Sequence, residues 1–312
     1  MKRPIKMLLV GDSKAGKTGA LASLLLAGYN IRVIDLDNGA DILQGIGAVK
    51  AAKAEYAETD TSWRLTLKNG AALDVQTCTD GSLRVDSTAL VAGKSVKGTK
   101  LVPDGTAWDK ALAMFHHWPE FGPVEGWGSD TVLVIDSLSF LGQAALNWVM
   151  KLNGRLGTKP FDTDYGDAQA LIKGVLGTLF NTELRCNVIV ITHLDYRGGS
   201  LFKEGADRPN RPAPKPDHND LSMVEKAYPM TLGKAMNNTV GRYFNTLFLV
   251  KTVGSGASTK RVICTANTTA GSAQIDLASI DLEVPRELDI ATGLAEYFER
   301  VKGKLPPREA KP

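Results

Sequence analysis

Cysteine is scarce in this chain: Cys78, Cys186 and Cys264 are three among 312 residues, scattered and odd in number. No disulfide framework is expected from them, and their use fits a reducing compartment. Histidine is nearly as rare, with four residues. The adjacent pair His116 and His117 falls within an expected helix, where neighbouring side chains point apart and no Cys is near, which argues against a zinc site. Charge of one sign is also lacking. The net charge is +3, too small to imply nucleic acid or a membrane surface by itself. No apolar run approaches the length of a membrane span, and Met1-Lys2-Arg3-Pro4 runs straight into an apolar strand with no room for a signal peptide. A cytoplasmic protein without a membrane partner is the expectation. With 43% hydrophobic and 23% charged residues, the chain can bury a sizeable core, as one large domain or two small ones.

What the sequence does have is a glycine loop in the right setting. Gly11-Asp12-Ser13-Lys14-Ala15-Gly16-Lys17-Thr18 fits G-x-x-x-x-G-K-[ST]. The run before it, Lys6 to Val10, reads as a buried strand, and the run from Gly19 to Ala27 as an apolar helix. Strand, glycine loop and helix in that order direct backbone N–H groups at phosphate oxygens. The residues from Gly11 to Gly19 are therefore expected to hold a nucleotide triphosphate. Lys17 would bring positive charge to its outer phosphates, and the Thr18 hydroxyl would coordinate Mg²⁺.

The remaining pattern is α/β. Residues 31–37 form a second strand, 130–136 a third and 186–192 a fourth, the last two nearly continuous in apolar residues as central parallel strands are. Between 59 and 100 the pattern changes to alternation around the turn signals Asn69-Gly70 and Thr79-Asp80-Gly81. That stretch reads as a small antiparallel meander, inserted into the sheet or lying on its edge. Helices are expected over 107–118, 138–151, 164–184 and 290–301. Further strands are expected over 246–253 and 260–265. Residues 195–220, rich in Pro, Gly and charge, read as a long loop, and 303–312 as a solvated tail.

Hydrolysis of a nucleotide needs a carboxylate that orients Mg²⁺, a group that positions water and one that reports the terminal phosphate. Asp136 ends the apolar run Val132 to Ile135, the place for the Mg²⁺-orienting carboxylate; as a plain alternative it caps the helix beginning at Ser137. Asp35 and Asp37 close the second strand at the edge where open α/β sheets bind ligands. Asp37, further out, is the better candidate for polarising water, and capping of the Asn38-Gly39 turn is the bland reading for both. His193 closes the fourth strand at the same edge, either as a sensor of the terminal phosphate or as an ordinary strand-end polar residue.

These residues resemble a known group. Gly11 to Thr18, Val33 to Gly39, Val132 to Ser137 and Asn187 to His193 are similar to the core of RecA/RadA-type ATPases. More narrowly, Asp164-Tyr165-Gly166, Tyr228-Pro229, Leu232-Gly233-Lys234 and Val240-Gly241-Arg242-Tyr243-Phe244 resemble phage AAA-domain ATP-binding proteins related to single-strand annealing recombinases. The resemblance implies one RecA-like P-loop NTPase domain over 1–302, with a mostly parallel central sheet flanked by helices and the 59–100 meander inserted. It implies ATP and Mg²⁺ as ligands, with Lys17, Asp37, Asp136 and His193 in the catalytic roles. Asp37 stands where that group usually carries Glu, so hydrolysis is expected to be slow, and His193 stands where the RecA branch commonly carries Gln. Assembly into a ring or filament is implied, as are single-stranded DNA as partner, a companion single-strand DNA-binding protein and a host cytoplasm for a phage-encoded chain.

In that group the loops after the third and fourth core strands contact DNA, which maps to 153–163 and 194–219. Between Leu194 and Asp220 five basic residues meet five acidic ones, so the second loop is no plain basic patch. Tyr196 and Phe202 are candidates for base stacking or for simple anchoring. Arg155, Lys159, Lys94, Lys97 and Lys100 are further candidates for positive surface. For a cation offered to a neighbouring subunit, Lys251, Arg242, Lys260 and Arg261 remain open.

Overall fold

The computed structural model describes residues 4–91, 94–181, 184–197, 225–254, 258–271 and 273–303, the side chains of 87–96 excepted. Strand β1 (Lys6–Val10) leads through the glycine loop into α1 (Lys17–Ala20) and α2 (Ala22–Leu26), then β2 (Asn30–Asp35). Two short helices, α3 (Ile42–Gly45) and α4 (Gly47–Ala52), precede the strands β3 (Lys53–Glu58), β4 (Ser62–Leu67) and β5 (Ala72–Thr77). The hairpin β6 (Ser82–Val91) and β7 (Lys94–Pro103) and helix α5 (Ala107–His116) follow. Next come β8 (Thr131–Asp136), α6 (Leu138–Leu152), α7 (Asp162–Leu179), β9 (Asn187–Thr192) and β10 (Leu194–Arg197). The last part holds β11 (Lys226–Pro229), α8 (Lys234–Asn237), β12 (Thr246–Val253), β13 (Lys260–Cys264), β14 (Thr268–Ala270), β15 (Ala273–Ile275), β16 (Glu287–Asp289) and α9 (Gly293–Val301).

Ten strands join in one sheet, in the order β16-β13-β12-β1-β9-β8-β2-β5-β4-β3. From β12 to β5 every neighbouring pair is parallel. The pairs at both edges are antiparallel. Parallel strands need both faces covered, and their sequences explain how. In β1, Leu8 and Val10 face a core shared with Leu141 and Ala145 of α6 and Ile172 and Leu176 of α7, whereas Met7 and Leu9 face a second core with Leu24 of α2 and Leu294 and Phe298 of α9. Period-two alternation of uniformly apolar residues thus feeds two helix layers at once.

The starts of the central strands are tied by one side chain. Asn187, which is buried, accepts a hydrogen bond from the Ile5 N–H at 3.0 Å and donates to the Ser129 carbonyl at 2.8 Å. It thereby fixes the entries of β1, β9 and β8 relative to one another, and with them the level at which the strands end.

Several expected boundaries shift. The meander does not form one unit. β5 pairs in parallel with β2, so the strands β3 to β5 extend the main sheet, and only β6 and β7 stand apart as a two-stranded sheet. The reason lies in a long-range pairing: Leu73 and Val75 of β5 are buried in the same core as Val33, and local alternation carries no information about that neighbour. The expected helix 19–27 is divided at Leu21 into α1 and α2, and the helix expected over 164–184 runs over Asp162–Leu179. The expected second strand stops at Asp35 rather than 37. The expected loop from 195 begins as β10, paired antiparallel to β11; residues 198–224 of that loop, with Phe202, lie outside the described residues, as does the tail from 304. Among the described residues no helix is long and apolar enough to cross a membrane.

Asn187→Ala is expected to leave the Ile5 N–H without its partner, at a cost of about 1–3 kcal/mol. Urea unfolding should show a lowered midpoint with an unchanged slope; an unchanged midpoint would remove Asn187 from its tying role.

Candidate nucleotide site

The site lies where β1, β8, β9 and β2 end on one edge of the sheet. Close packing makes the loop's two framing glycines obligatory. At Gly11 a Cβ would fall 2.4 Å from the Val250 carbonyl oxygen of β12. Gly16 has φ +103°, a conformation that side chains other than hydrogen rarely adopt. The loop between them turns back on Lys17, whose Nζ donates to the carbonyls of Gly11 and Asp12, each at 2.8 Å. Lys17 is buried, and burial lowers its pKa against the opposing pull of Asp136 and Asp12. The loop is thus closed around the Lys17 ammonium.

Thr18 and Asp136 meet directly. The Thr18 hydroxyl donates to Oδ2 of Asp136 at 2.6 Å, across 118 residues of sequence. Asp136 is buried, and its carboxyl is pushed up to about 7, first by burial and then by the charge of Asp37. Asp35, also buried, is pushed up to about 6 by burial, with Asp37 again opposing its ionisation. Its two oxygens accept the N–H groups of Gly39 at 3.2 Å and Ala40 at 3.1 Å. Asp35 therefore holds the turn, as the bland reading had it. Asp37 sits past the end of β2, half-buried, with Oδ1 on the Gly39 N–H at 3.1 Å. Its field reaches Lys17, Asp35 and Asp136.

A hydroxyl and one buried carboxylate amid further negative charge are the hard oxygen donors that Mg²⁺ takes. Among the described residues no group of three or more His, Cys, Asp or Glu could hold a metal alone. The residues present fit Mg²⁺ arriving with a nucleotide, with Thr18 and Asp136 as its protein contacts.

His193 directly follows β9, half-buried. Its Nδ1 lies 2.8 Å from the Ser139 hydroxyl, which lies 3.0 Å from that of Ser137, the residue after Asp136. Burial, and then the charge of Lys17, lower the His193 pKa. Sequence reasoning missed the two serines that join His193 to the Asp136 strand end, although Ser137 and Ser139 stand in the sequence as the only hydroxyls between Asp136 and Phe140.

Tyr196, a candidate for base stacking or anchoring, has a partner the sequence did not name. The Tyr196 hydroxyl donates to both carboxylate oxygens of Asp12, each at 2.8 Å, and its own ionisation is pushed upward by burial and by Asp12. The glycine loop is thereby tied to β10, the strand that leaves His193. Of the cations left open by sequence, Lys251 is engaged within its own chain, donating to the Thr268 hydroxyl at 2.9 Å and the Thr269 carbonyl at 3.4 Å. Arg155 is engaged too, with the buried carboxylate of Asp164 and over the Phe161 ring at 4.3 Å. Arg242, Lys260 and Arg261 are exposed, and Arg261 lies against Gly16.

A protein-family model described as an AAA domain matches residues 3–273. The chain belongs to this AAA-domain family. It is a P-loop ATPase domain whose family binds ATP, typically with Mg²⁺. No curated protein matches the sequence.

Asp35 and Asp136 hold their protons more tightly folded than unfolded, since both values lie above the ordinary carboxyl range near 4. Their contribution to stability is fully present below that range and lost as pH rises through about 6 for Asp35 and about 7 for Asp136. Between about pH 6.5 and pH 8, above the range where the lowered pKa of His193 acts in the opposite direction, the melting temperature of the protein should therefore fall. Asp136→Asn should flatten the upper part of that slope; an identical slope in the variant would contradict the assignment.

Proposed function

We propose that the chain is a RecA-like, Mg²⁺-dependent ATPase whose turnover is coupled to single-stranded DNA, acting in annealing or recombination as a homo-oligomer in the cytoplasm. The observation that carries the ATPase half is the Thr18–Asp136 hydrogen bond, which unites the glycine loop with the acidic strand end. In this reading Lys17 leaves the Gly11 and Asp12 carbonyls and turns to the phosphates of ATP. Thr18 and Asp136 would hold Mg²⁺, which would supply charge stabilisation to those phosphates. Asp37 orients the attacking water. Ser139 donates to Nδ1 of neutral His193, leaving the Nε2 proton to meet the terminal phosphate.

The DNA half rests on the family resemblance and on position. β10 connects His193 to the 198–224 segment, and Tyr196 on that strand is bonded to the glycine loop. A change at the phosphates therefore has a short covalent and hydrogen-bonded route to the segment assigned to DNA. The Tyr196 ring supports anchoring better than base stacking, because its hydroxyl is spent on Asp12. The hydrogen bond of Asp37 to the Gly39 N–H favours a second reading, a nucleotide-gated assembly or binding protein with little turnover and no direct DNA role.

The rate of ATP hydrolysis with and without single-stranded DNA separates the two. Stimulation by DNA is expected, with Lys17→Ala abolishing turnover. Asp37→Asn should retain ATP binding and lose about 10²-fold in rate, the scale of one preorganised catalytic contact. Turnover indifferent to DNA would favour the second reading, and unchanged turnover in Asp37→Asn would remove that residue from the mechanism.

A further inference from the structure

Arg261 is placed by β13 beside the glycine loop of its own chain. At Gly16 the position of a Cβ lies 3.0 Å from Cδ and 3.6 Å from Nε of Arg261, and 3.9 Å from Cγ1 of Ile290. The contact is not a surface accident. β13 is held in register on β12, with Arg261 opposite Thr252, and on β16, with Val262 opposite Asp289. Two residues on from Arg261, Ile263 is buried with Leu288, Leu294 and Phe298 in the core beneath α1, α2 and α9. By strand alternation Arg261 emerges on that same side of the sheet, and Ile290 packs against the edge of the same core.

The strand order sets this cation against the metal end of the site. β13 and β8 each stand two strands from β1, on opposite sides. Asp136 with Thr18 and Arg261 with Ile290 thus bracket the loop. Among the described residues the Arg261 guanidinium makes no hydrogen bond or ion pair, and the side chain is exposed. What the loop presents at Gly16 is a planar, weakly hydrated cation with an aliphatic side chain next to it. This combination suits the π-face of a nucleobase better than a lone phosphate, since guanidinium stacks on rings and aliphatic carbon offers nothing to an anion.

We propose that Arg261, with Ile290, seats the base of the nucleotide held by the same subunit's loop, and is not a finger offered to a neighbour. The proposal rests on the nucleotide reading above and adds to it which end of the ligand lies where. Stacking recognises the ring and not its edge, so the seat accepts any nucleoside di- or triphosphate and favours purines for their larger face.

The test compares affinities of Mg·ADP, Mg·ATP and Mg·tripolyphosphate for the wild-type protein, Arg261→Ala and Arg261→Lys. Arg261→Ala should weaken both nucleotides roughly tenfold, on the scale of a cation–π contact, and leave tripolyphosphate unchanged. KM for ATP should rise with kcat within about twofold, and the melting temperature should not move. Arg261→Lys should recover little, because it keeps the charge and loses the plane. Equal weakening of tripolyphosphate would overturn the base seat in favour of a phosphate contact. Full nucleotide affinity with collapsed kcat, restored by mixing with Lys17→Ala subunits, would overturn it in favour of a neighbour's finger. A wild-type protein that binds neither nucleotide nor tripolyphosphate would instead refute the nucleotide reading itself.

Discussion

A carboxylate buried among other carboxylates is the constraint on which this site depends. Asp136 has one neutral donor, Thr18, and the negative fields of Asp37 and Asp35 around it. Removing a carboxylate from water costs several kcal/mol unless it is paired or protonated. Burial, and then the charge of Asp37, push the Asp136 carboxyl up to about 7. Lys17, whose charge opposes that shift, donates its hydrogen bonds to loop carbonyls. Under the proposed function, a divalent ion and phosphates would replace the Asp136 proton and draw Lys17 outward.

The fold exists to keep that arrangement in register. Five parallel pairings align the ends of six strands, and Asn187 ties their starts. Because both faces of the sheet are covered, the strand ends cannot slide without exposing a core. The polar groups that hang from those ends then add short-range links. Ser137 and Ser139 carry the Asp136 end to His193, and Tyr196 carries the next strand back to Asp12. These links give the edge a closed circuit: loop, acidic strand end, histidine strand end, and loop again.

What could be read from sequence followed from local chemistry. The glycine loop carries its spacing and flanking pattern within a few residues. The runs Val132 to Ile135 and Asn187 to Thr192 declare themselves as doubly buried strands by having almost no polar residue. Asp136 and His193 were legible because they end such runs. The failures share a different cause, namely pairing at long range. Nothing near Leu73 states that β5 will lie on β2. Nothing near Tyr196 states that its hydroxyl will meet a residue 184 positions earlier, and nothing near Arg261 names Gly16. The strand was expected to reach Asp37 and ends at Asp35 for a local reason: the Asn38-Gly39 turn follows at once, and both aspartates accept the Gly39 N–H.

The proposed role of Asp136 toward a Mg²⁺-bound nucleotide is tested most directly by calorimetry. A non-hydrolysable Mg·ATP analogue is titrated into the protein at pH 7 in two buffers of different ionisation enthalpy. Binding is expected with net release of a fraction of a proton to the buffer, and that release should be lost in Asp136→Asn. Binding without any proton release at pH 7, or the same release from the variant, would contradict it.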